Sequence, residues 1–155
     1  MSPTTATLSS ARSVGWMMSR VEFIYYGIPT GKGRARVSTR GGFARAYTPK
    51  KTQEAEQNLQ AQAAQYRPEK LFEGAISINY HIFVPIPKSF SKKKREDALM
   101  GKIHPLTKPD IDNIEKLVFD AFNGVIWLDD RQVVEVIKKK SYGQTPCISF
   151  IIEEI

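Results

Sequence analysis

The sequence predicts a single α+β domain in which helices pack against a small mixed or antiparallel sheet. Its 155 residues are 41% hydrophobic and 25% charged, which is the size and composition of one globular domain. Segments with the two-residue period of strands and segments with a helical period follow the order β, basic loops, α, β, α, α, β, β. Neither an internal repeat nor a linker interrupts this order, so we expect all elements to share one core.

The chain begins with a segment, residues 1–20, that is rich in Ser, Thr and Ala and contains no acid. We expect a mobile tail there and a domain over residues 21–155. Val21–Ile28 is rich in β-branched and aromatic residues and is followed by Pro and Gly, which predicts a strand. Glycines then divide the basic stretch into loops or a short hairpin, with residues 34–37 and 43–47 as its strands.

The middle of the chain predicts a helix, a strand and a second helix. Thr48 followed by Pro is a helix start, and the run to Tyr66 is full of Ala, Gln, Glu and Leu. Gly74–Val84 alternates large apolar residues with polar ones, the period of a half-buried strand. Ser91–Met100 predicts a short, strongly basic helix.

The last third predicts one amphipathic helix and two closing strands. Apolar residues recur at helical spacing from Asp110 to Phe122, and Asn123–Gly124 ends the helix. Val133–Ile137 and Cys147–Ile152 then have the composition of strands, joined by a loop that contains Gly and Pro.

Charge is distributed unevenly along the chain. Lys and Arg number 23 against 16 Asp and Glu, a formal net charge of +7. Residues 23–53 contain seven bases and no acid, whereas residues 110–130 contain six acids and one base, Lys116. Basic surface attracts polyanions such as nucleic acid or an acidic membrane. Clustered carboxylates would repel a polyanion, so their presence in a protein that binds one indicates that a cation neutralises them.

The same composition excludes several classes of protein. A single cysteine, Cys147, rules out a disulfide framework, and with only two histidines it rules out a zinc finger. No apolar run approaches the roughly 20 residues that cross a bilayer, and no export signal is recognisable. We therefore expect a cytoplasmic protein with no membrane partner.

The acidic residues have both a structural and a chemical interpretation. Asp110 and Asp112 lie at a helix start, where Asp is a preferred cap, and Asp112 with Glu115 has capping-box spacing. The pair Asp129–Asp130 fits a turn. Taken together, however, acids at the helix start and one more after the next apolar run can converge on Mg²⁺, which takes a few carboxylates plus water and phosphate oxygens.

Lys116 lies one helical turn beyond Asp112. As a structural residue it would pair with Asp112 or with Asp120, an interaction of a few tenths of a kcal/mol. As a functional residue it would orient a metal ligand or steady a phosphate. Helix geometry allows both.

The stretch from Lys108 to Val134 resembles the signature of the RusA family of Holliday junction resolvases. The family's D-x-D-N-x-x-K and W-x-D-D-x-Q-V are matched by Asp110, Asp112, Asn113, Lys116, Trp127, Asp129, Asp130, Gln132 and Val133. Pro29–Arg36 and Ala46–Lys50 are similar to the basic segments of phage-type members, and the likeness covers most of residues 21–153. The basic run from Lys92 to Arg95 looks like an insertion.

The resemblance implies a small homodimeric, Mg²⁺-dependent endonuclease that binds four-way DNA junctions and cuts two opposed strands symmetrically. It carries the catalytic and metal-binding acids over to Asp110, Asp112 and Asp130 and the essential lysine to Lys116. Asp129 also matches a common family residue, so either member of the pair remains open as the metal ligand. The alternative is a DNA-binding module without catalysis, in which the carboxylates are caps and turns.

The bases that we expect to contact DNA lie in the acid-free segment and in the short basic helix. They are Lys32, Arg34, Arg36, Arg40, Arg45, Lys50, Lys92, Lys93 and Lys94. The two histidines, His81 and His104, receive no role, because an isolated histidine is more often structural.

Overall fold

The computed structural model describes residues 19–155, which form a mixed four-stranded sheet, three α-helices and a separate two-stranded hairpin. The strands are β1 (Arg20–Tyr26), β2 (Arg36–Ser38), β3 (Arg45–Tyr47), β4 (Ile76–Pro85), β5 (Val133–Gly143) and β6 (Cys147–Glu154). The helices are α1 (Lys50–Ala64), α2 (Lys92–Leu99) and α3 (Ile111–Phe122). The predicted α+β class is confirmed. The predicted tail over residues 1–20 lies almost wholly outside the described residues.

The main sheet has the strand order β1-β6-β4-β5. β6 pairs antiparallel with both β1 and β4, whereas β5 runs parallel to β4 and forms one edge. One face of the sheet carries the core. Every second residue of β4 is buried there, as the alternation in the sequence predicts: Ile76, Ile78, Tyr80, Ile82 and Val84.

The helix α3 covers this face with the apolar stripe that its sequence predicts, and α1 packs beside it. The buried residues of α3 are Ile114, Leu117, Val118, Ala121 and Phe122. Trp127 packs edge-on against Phe122 at 5.5 Å between ring centroids, and its indole N–H donates to Asn123 Oδ1 at 2.7 Å. Burial of a side chain such as Phe122 stabilises the fold by roughly 1.5–3 kcal/mol, which anchors the C-terminal end of α3.

Strand β5 is longer than its sequence predicts. It continues from Ile137 to Gly143 because β4 offers a parallel partner along its whole length, from Ile76 to Pro85. The sequence did not predict this extension, because it contains three consecutive lysines, Lys138–Lys140. Lysines are tolerated there because β5 is an edge strand, where long charged side chains reach solvent.

The other boundaries move by only one or two residues. Helix α1 starts at Lys50, with Pro49 rather than Thr48 in the capping position. Within residues 19–155, no helix is both long enough and apolar enough to cross a membrane.

Candidate active site and nucleic-acid interface

Asp110 immediately precedes α3, and its carboxylate does not cap the helix. The residue has the extended conformation of a cap, and its carbonyl accepts the first helical hydrogen bond, from Ile114 N at 3.1 Å. Its side chain makes no capping hydrogen bond and is exposed. Asp112, in the first turn, is also exposed. Helix capping therefore does not explain the carboxylate of Asp110.

Glu115 is occupied elsewhere, so the capping-box interpretation of Asp112 and Glu115 is wrong. Its carboxylate accepts a hydrogen bond from Tyr80 Oη at 2.9 Å and pairs with Lys138 Nζ at 3.0 Å. Burial of Tyr80, together with this bond to Glu115, raises the pKa of the phenol far above its usual range. Glu115 thus links α3 to β4 and β5 and holds the helix at a fixed height over the sheet.

Lys140 fixes the loop that leads to Asp110. Its ammonium donates to the carbonyl oxygens of Thr107 at 2.9 Å and Pro109 at 3.1 Å. Charge-assisted hydrogen bonds of this kind are stronger than neutral ones. The position of Asp110 is therefore set by the C-terminal part of β5 as well as by α3.

Lys116 is exposed on the same face of α3 as Asp112. Neither of the ion pairs considered for it is present: in the described part of the chain, no carboxylate lies within salt-bridge distance of Lys116. Asp120 pairs instead with Lys32. The structure thus leaves the ammonium of Lys116 accessible from solvent.

Asp129 and Asp130 differ in their surroundings. Asp129 closes a capping box: Arg131 N donates to its carboxylate at 2.9 Å, and its own N–H donates to Gln132 Oε1 at 2.8 Å. The backbone N–H of Arg131 and the nearby guanidinium hold the pKa of the Asp129 carboxyl below its usual range. The turn interpretation therefore holds for Asp129, while Asp130 occupies the first position of the short 3-10 helix Asp130–Gln132.

The acids at the two ends of this region do not meet within one chain. Among residues 19–155, no three Asp, Glu, His or Cys side chains lie close enough together to hold a metal ion. Asp130 precedes the first residue of β5, Val133, whereas Pro109, the residue before Asp110, contacts Lys140 near the other end of that strand. An extended strand rises about 3.3 Å per residue, so these two points of β5 are roughly 23 Å apart.

A cleft of about 810 Å³ opens beside Asp110. Five of its fourteen lining residues are basic, against one acid, Asp110, so the cleft carries a net positive charge: Lys32, Arg34, Arg36, Lys51 and Lys108. Lys51 and Lys108 also line the cleft and were not among the predicted contacts.

The loop that forms one wall of the cleft is pinned to both helices. Lys32 N donates to Asn113 O at 2.9 Å, and Gly33 N donates to the buried hydroxyl of Thr52 at 2.9 Å. Gly31 favours this approach, because a Cβ there would lie 3.0 Å from Asn113 Cβ, which is tighter than ordinary van der Waals contact. These two hydrogen bonds hold this wall of the cleft in a fixed position between α1 and α3.

The predicted DNA contacts fall into three groups. Arg34 and Arg36 line the cleft, and Arg40 and Arg45 are exposed on the hairpin of β2 and β3. Lys32 also lines the cleft, but its ammonium is paired with Asp120. The remaining contacts, on α1 and α2, are exposed: Lys50, Lys92, Lys93 and Lys94.

Some of these helix lysines have partners on their own surface. Lys50 lies 3.8 Å from Glu54, Lys93 lies 3.2 Å from Asp97, and Lys94 lies over the ring of Phe90 at 4.2 Å. The two histidines are outside the cleft, and His81 shares a hydrogen bond of 2.9 Å with Ser141.

Two comparisons with known proteins give matches over most of the chain. The family model described as "Endodeoxyribonuclease RusA" matches residues 27–153. The chain is also 39% identical over 140 residues to the uncharacterized protein YqaN of Bacillus subtilis strain 168, an alignment that covers 89% of this chain and 99% of that protein. The matched range contains the cleft, α3 and both acidic segments. The chain belongs to the RusA endodeoxyribonuclease family.

Proposed function

We propose that this chain is a Mg²⁺-dependent endonuclease that resolves Holliday junctions by paired, symmetric nicks and acts as a homodimer. The observation that carries the proposal is the basic cleft beside Asp110, whose carboxylate makes no capping hydrogen bond. Basic walls bind the phosphates of DNA. A carboxylate beside them, where phosphate binds, would repel the ligand unless a cation lay between the two.

The proposed metal ligands are Asp110, Asp112 and Asp130. Carboxylate oxygens are the donors that Mg²⁺ prefers in proteins, so the chemistry of the donor set fits the ion. Bound there, Mg²⁺ would supply an activated water and neutralise charge on the scissile phosphate. Lys116, exposed one turn from Asp112, would hold a non-bridging phosphate oxygen as negative charge grows on it.

The separation of the acids supports a dimeric site. Strand β5 is a sheet edge with exposed apolar side chains, Val134 at 65%, Ile137 at 54% and Val136 at 36%. Such an edge can pair with the same strand of a second copy. Antiparallel pairing across a two-fold axis would set the start of one β5 beside the end of the other, so the partner's Asp130 would approach Asp110 and Asp112.

This arrangement also fits the substrate. A four-way junction has two equivalent scission points, and a two-fold dimer offers two identical sites. It also brings two basic clefts to one DNA molecule, which raises the effective concentration of the second contact.

Incubation of the protein with an end-labelled four-way junction and Mg²⁺ tests the proposal. The expected products are nicked duplexes cut at symmetric positions on opposed strands, with no cutting when Mg²⁺ is chelated. Asp110→Asn should cut nothing, and Glu69→Gln, which removes an exposed acid away from the site, should cut like the wild type. Tight binding without nicking by the wild type would support the non-catalytic DNA-binding module instead.

A further inference from the structure

The hairpin of β2 and β3 stands apart from the core. Its strands pair only with each other, and neither contains a buried residue. Three large apolar side chains on it are exposed: Phe43 at 69%, Val37 at 67% and Tyr47 at 47%. A two-stranded hairpin with no packed face is marginally stable in water, and clustered exposed apolar side chains mark an interaction surface. The hairpin therefore has the character of a surface that acquires a partner.

The charge of the hairpin identifies the chemistry of that partner. Arg34, Arg36, Arg40 and Arg45 alternate with the apolar residues along the chain, and the whole segment from residue 23 to 53 contains no acid. None of the four arginines takes part in a salt bridge within the portion of the chain that the structure covers. Arginines interleaved with exposed aromatic rings are typical of surfaces that hold phosphates and stack on unstacked bases.

The base of the hairpin lies at the candidate DNA-binding cleft. Arg34 and Arg36, at its base, line the cleft that reaches Asp110. Its tip bends through Gly41 and Gly42, whose φ angles are 82° and 83°, in the left-handed region that glycine tolerates. A Cβ on either glycine would meet nothing within 4 Å, and Phe43 follows directly. Thus an exposed aromatic ring lies at the open tip of a hairpin whose base lines the cleft.

We propose that the β2–β3 hairpin is an unstacking wedge, in which Phe43 stacks on a DNA base at the branch point while the arginines hold the flanking phosphates. The inference rests on the proposed function, since it takes branched DNA as the substrate. In continuous duplex each base is stacked on both sides, whereas at a branch point a base loses a stacked neighbour at lower cost, so the ring can take that neighbour's place there. The wedge therefore gives the enzyme a preference for branched over continuous DNA.

A base analogue at the branch point tests the wedge. A four-way junction carrying 2-aminopurine beside the crossover is titrated with protein in EDTA, which keeps the strands intact. Fluorescence of 2-aminopurine rises when the base loses its stacked neighbour, so binding of the wild type should raise it. Phe43→Leu keeps an apolar side chain but removes the ring, and should lose the rise and bind the junction roughly tenfold more weakly.

Three controls separate stacking from other effects. Phe43→Tyr keeps an aromatic face and should retain the fluorescence rise. Arg40→Gln should reduce the dependence of binding on salt concentration and keep the rise at saturating protein. Binding of Phe43→Leu to continuous duplex, and its melting temperature, should match the wild type, since the exposed ring stabilises no core.

The outcomes distinguish the wedge from the proposed function. If the wild type binds and cuts junctions while Phe43→Leu matches it in fluorescence and affinity, the wedge is overturned and the nuclease stands. If the wild type binds junctions no better than duplex but still cuts them, the wedge is likewise overturned and the nuclease stands. If the wild type cuts no junction in Mg²⁺, the proposed function is overturned.

Discussion

The ammonium of Lys140 donates a hydrogen bond to the carbonyl oxygen of Pro109 at 3.1 Å, one residue before the carboxylate that borders the basic cleft. The same ammonium contacts Thr107 O, so two points of the loop are tied to the edge strand β5. β5 therefore links the position of Asp110 to the edge of the sheet that we propose as the dimer contact.

Replacing Lys140 tests this link. Lys140→Met removes both hydrogen bonds and should destabilise the fold by about 1 kcal/mol while reducing the cleavage rate more than the affinity for junctions. Lys139→Met is the matched control, because it removes the same charge from an exposed neighbour with no contact to this loop. Single-turnover cleavage, junction binding and thermal melting are measured for both. Equal loss of cleavage in the two variants would mean that only the positive charge matters.

The acids at the start of α3 should be needed for cutting but not for folding. Asp110→Asn and Asp112→Asn should abolish cleavage and keep or strengthen junction binding, because each removes a carboxylate that repels phosphate. Since the Asp110 side chain makes no capping hydrogen bond, the melting temperature of Asp110→Asn should equal that of the wild type. Nicking by either variant would exclude that residue from the metal site.

Substitutions of the adjacent residues Asp129 and Asp130 should differ in their effect on cleavage. Asp130→Asn should abolish cleavage, whereas Asp129→Asn should retain it, because asparagine also caps a helix start. A dispensable Asp130 and an essential Asp129 would reverse the assignment.

The lowered pKa of Asp129 predicts that its contribution to the stability of the fold depends on pH. A carboxyl whose pKa is lower in the folded than in the unfolded state stabilises the fold above its ordinary pKa and loses that contribution as the pH falls through the folded value. The difference in melting temperature between the wild type and Asp129→Asn should therefore be constant near neutral pH and shrink below about pH 4. A difference that stays constant down to strongly acid pH would show that the charge of Asp129 is irrelevant to the turn.

The bases of the cleft should differ in their contribution to DNA binding. Arg34→Ala with Arg36→Ala should weaken binding to junctions of any sequence and lower the salt slope by about one for each phosphate that the arginines neutralise. Lys32→Ala should change the slope less, because its ammonium is already paired with Asp120, and should instead lower thermal stability. Salt titrations of binding compare the three substitutions. An unchanged slope for the arginine variant would remove the cleft wall from the interface.

Periodic patterns in the sequence were sufficient to predict the strands and helices that bury one face. The alternation in β4 and the apolar stripe of α3 each have one buried face, so period alone identifies the buried residues. The extension of β5 was missed because its run of lysines looks like a loop until β4 is known to lie beside it.

The site depended on contacts between distant segments, which leave no local signal. Lys32 and Asp120 are 88 residues apart, and Tyr80 and Glu115 are 35 apart. Nothing near Glu115 in the sequence indicates that it binds Tyr80 and Lys138 rather than capping α3. Similarly, the separation of Asp130 from Asp110 became apparent only from the course of β5.

Mixed dimers test the central claim, a nuclease site shared between two chains, most directly. Asp110→Asn and Asp130→Asn chains with different tags are coexpressed, and the heterodimer is isolated and incubated with labelled junction and Mg²⁺. If the site combines Asp110 of one chain with Asp130 of the other, one of the two sites in this heterodimer is intact and should nick a single strand. The Asp110→Asn and Asp112→Asn heterodimer, in which both sites are damaged, should stay inactive. An inactive first heterodimer, alongside an active wild type, would contradict the shared site.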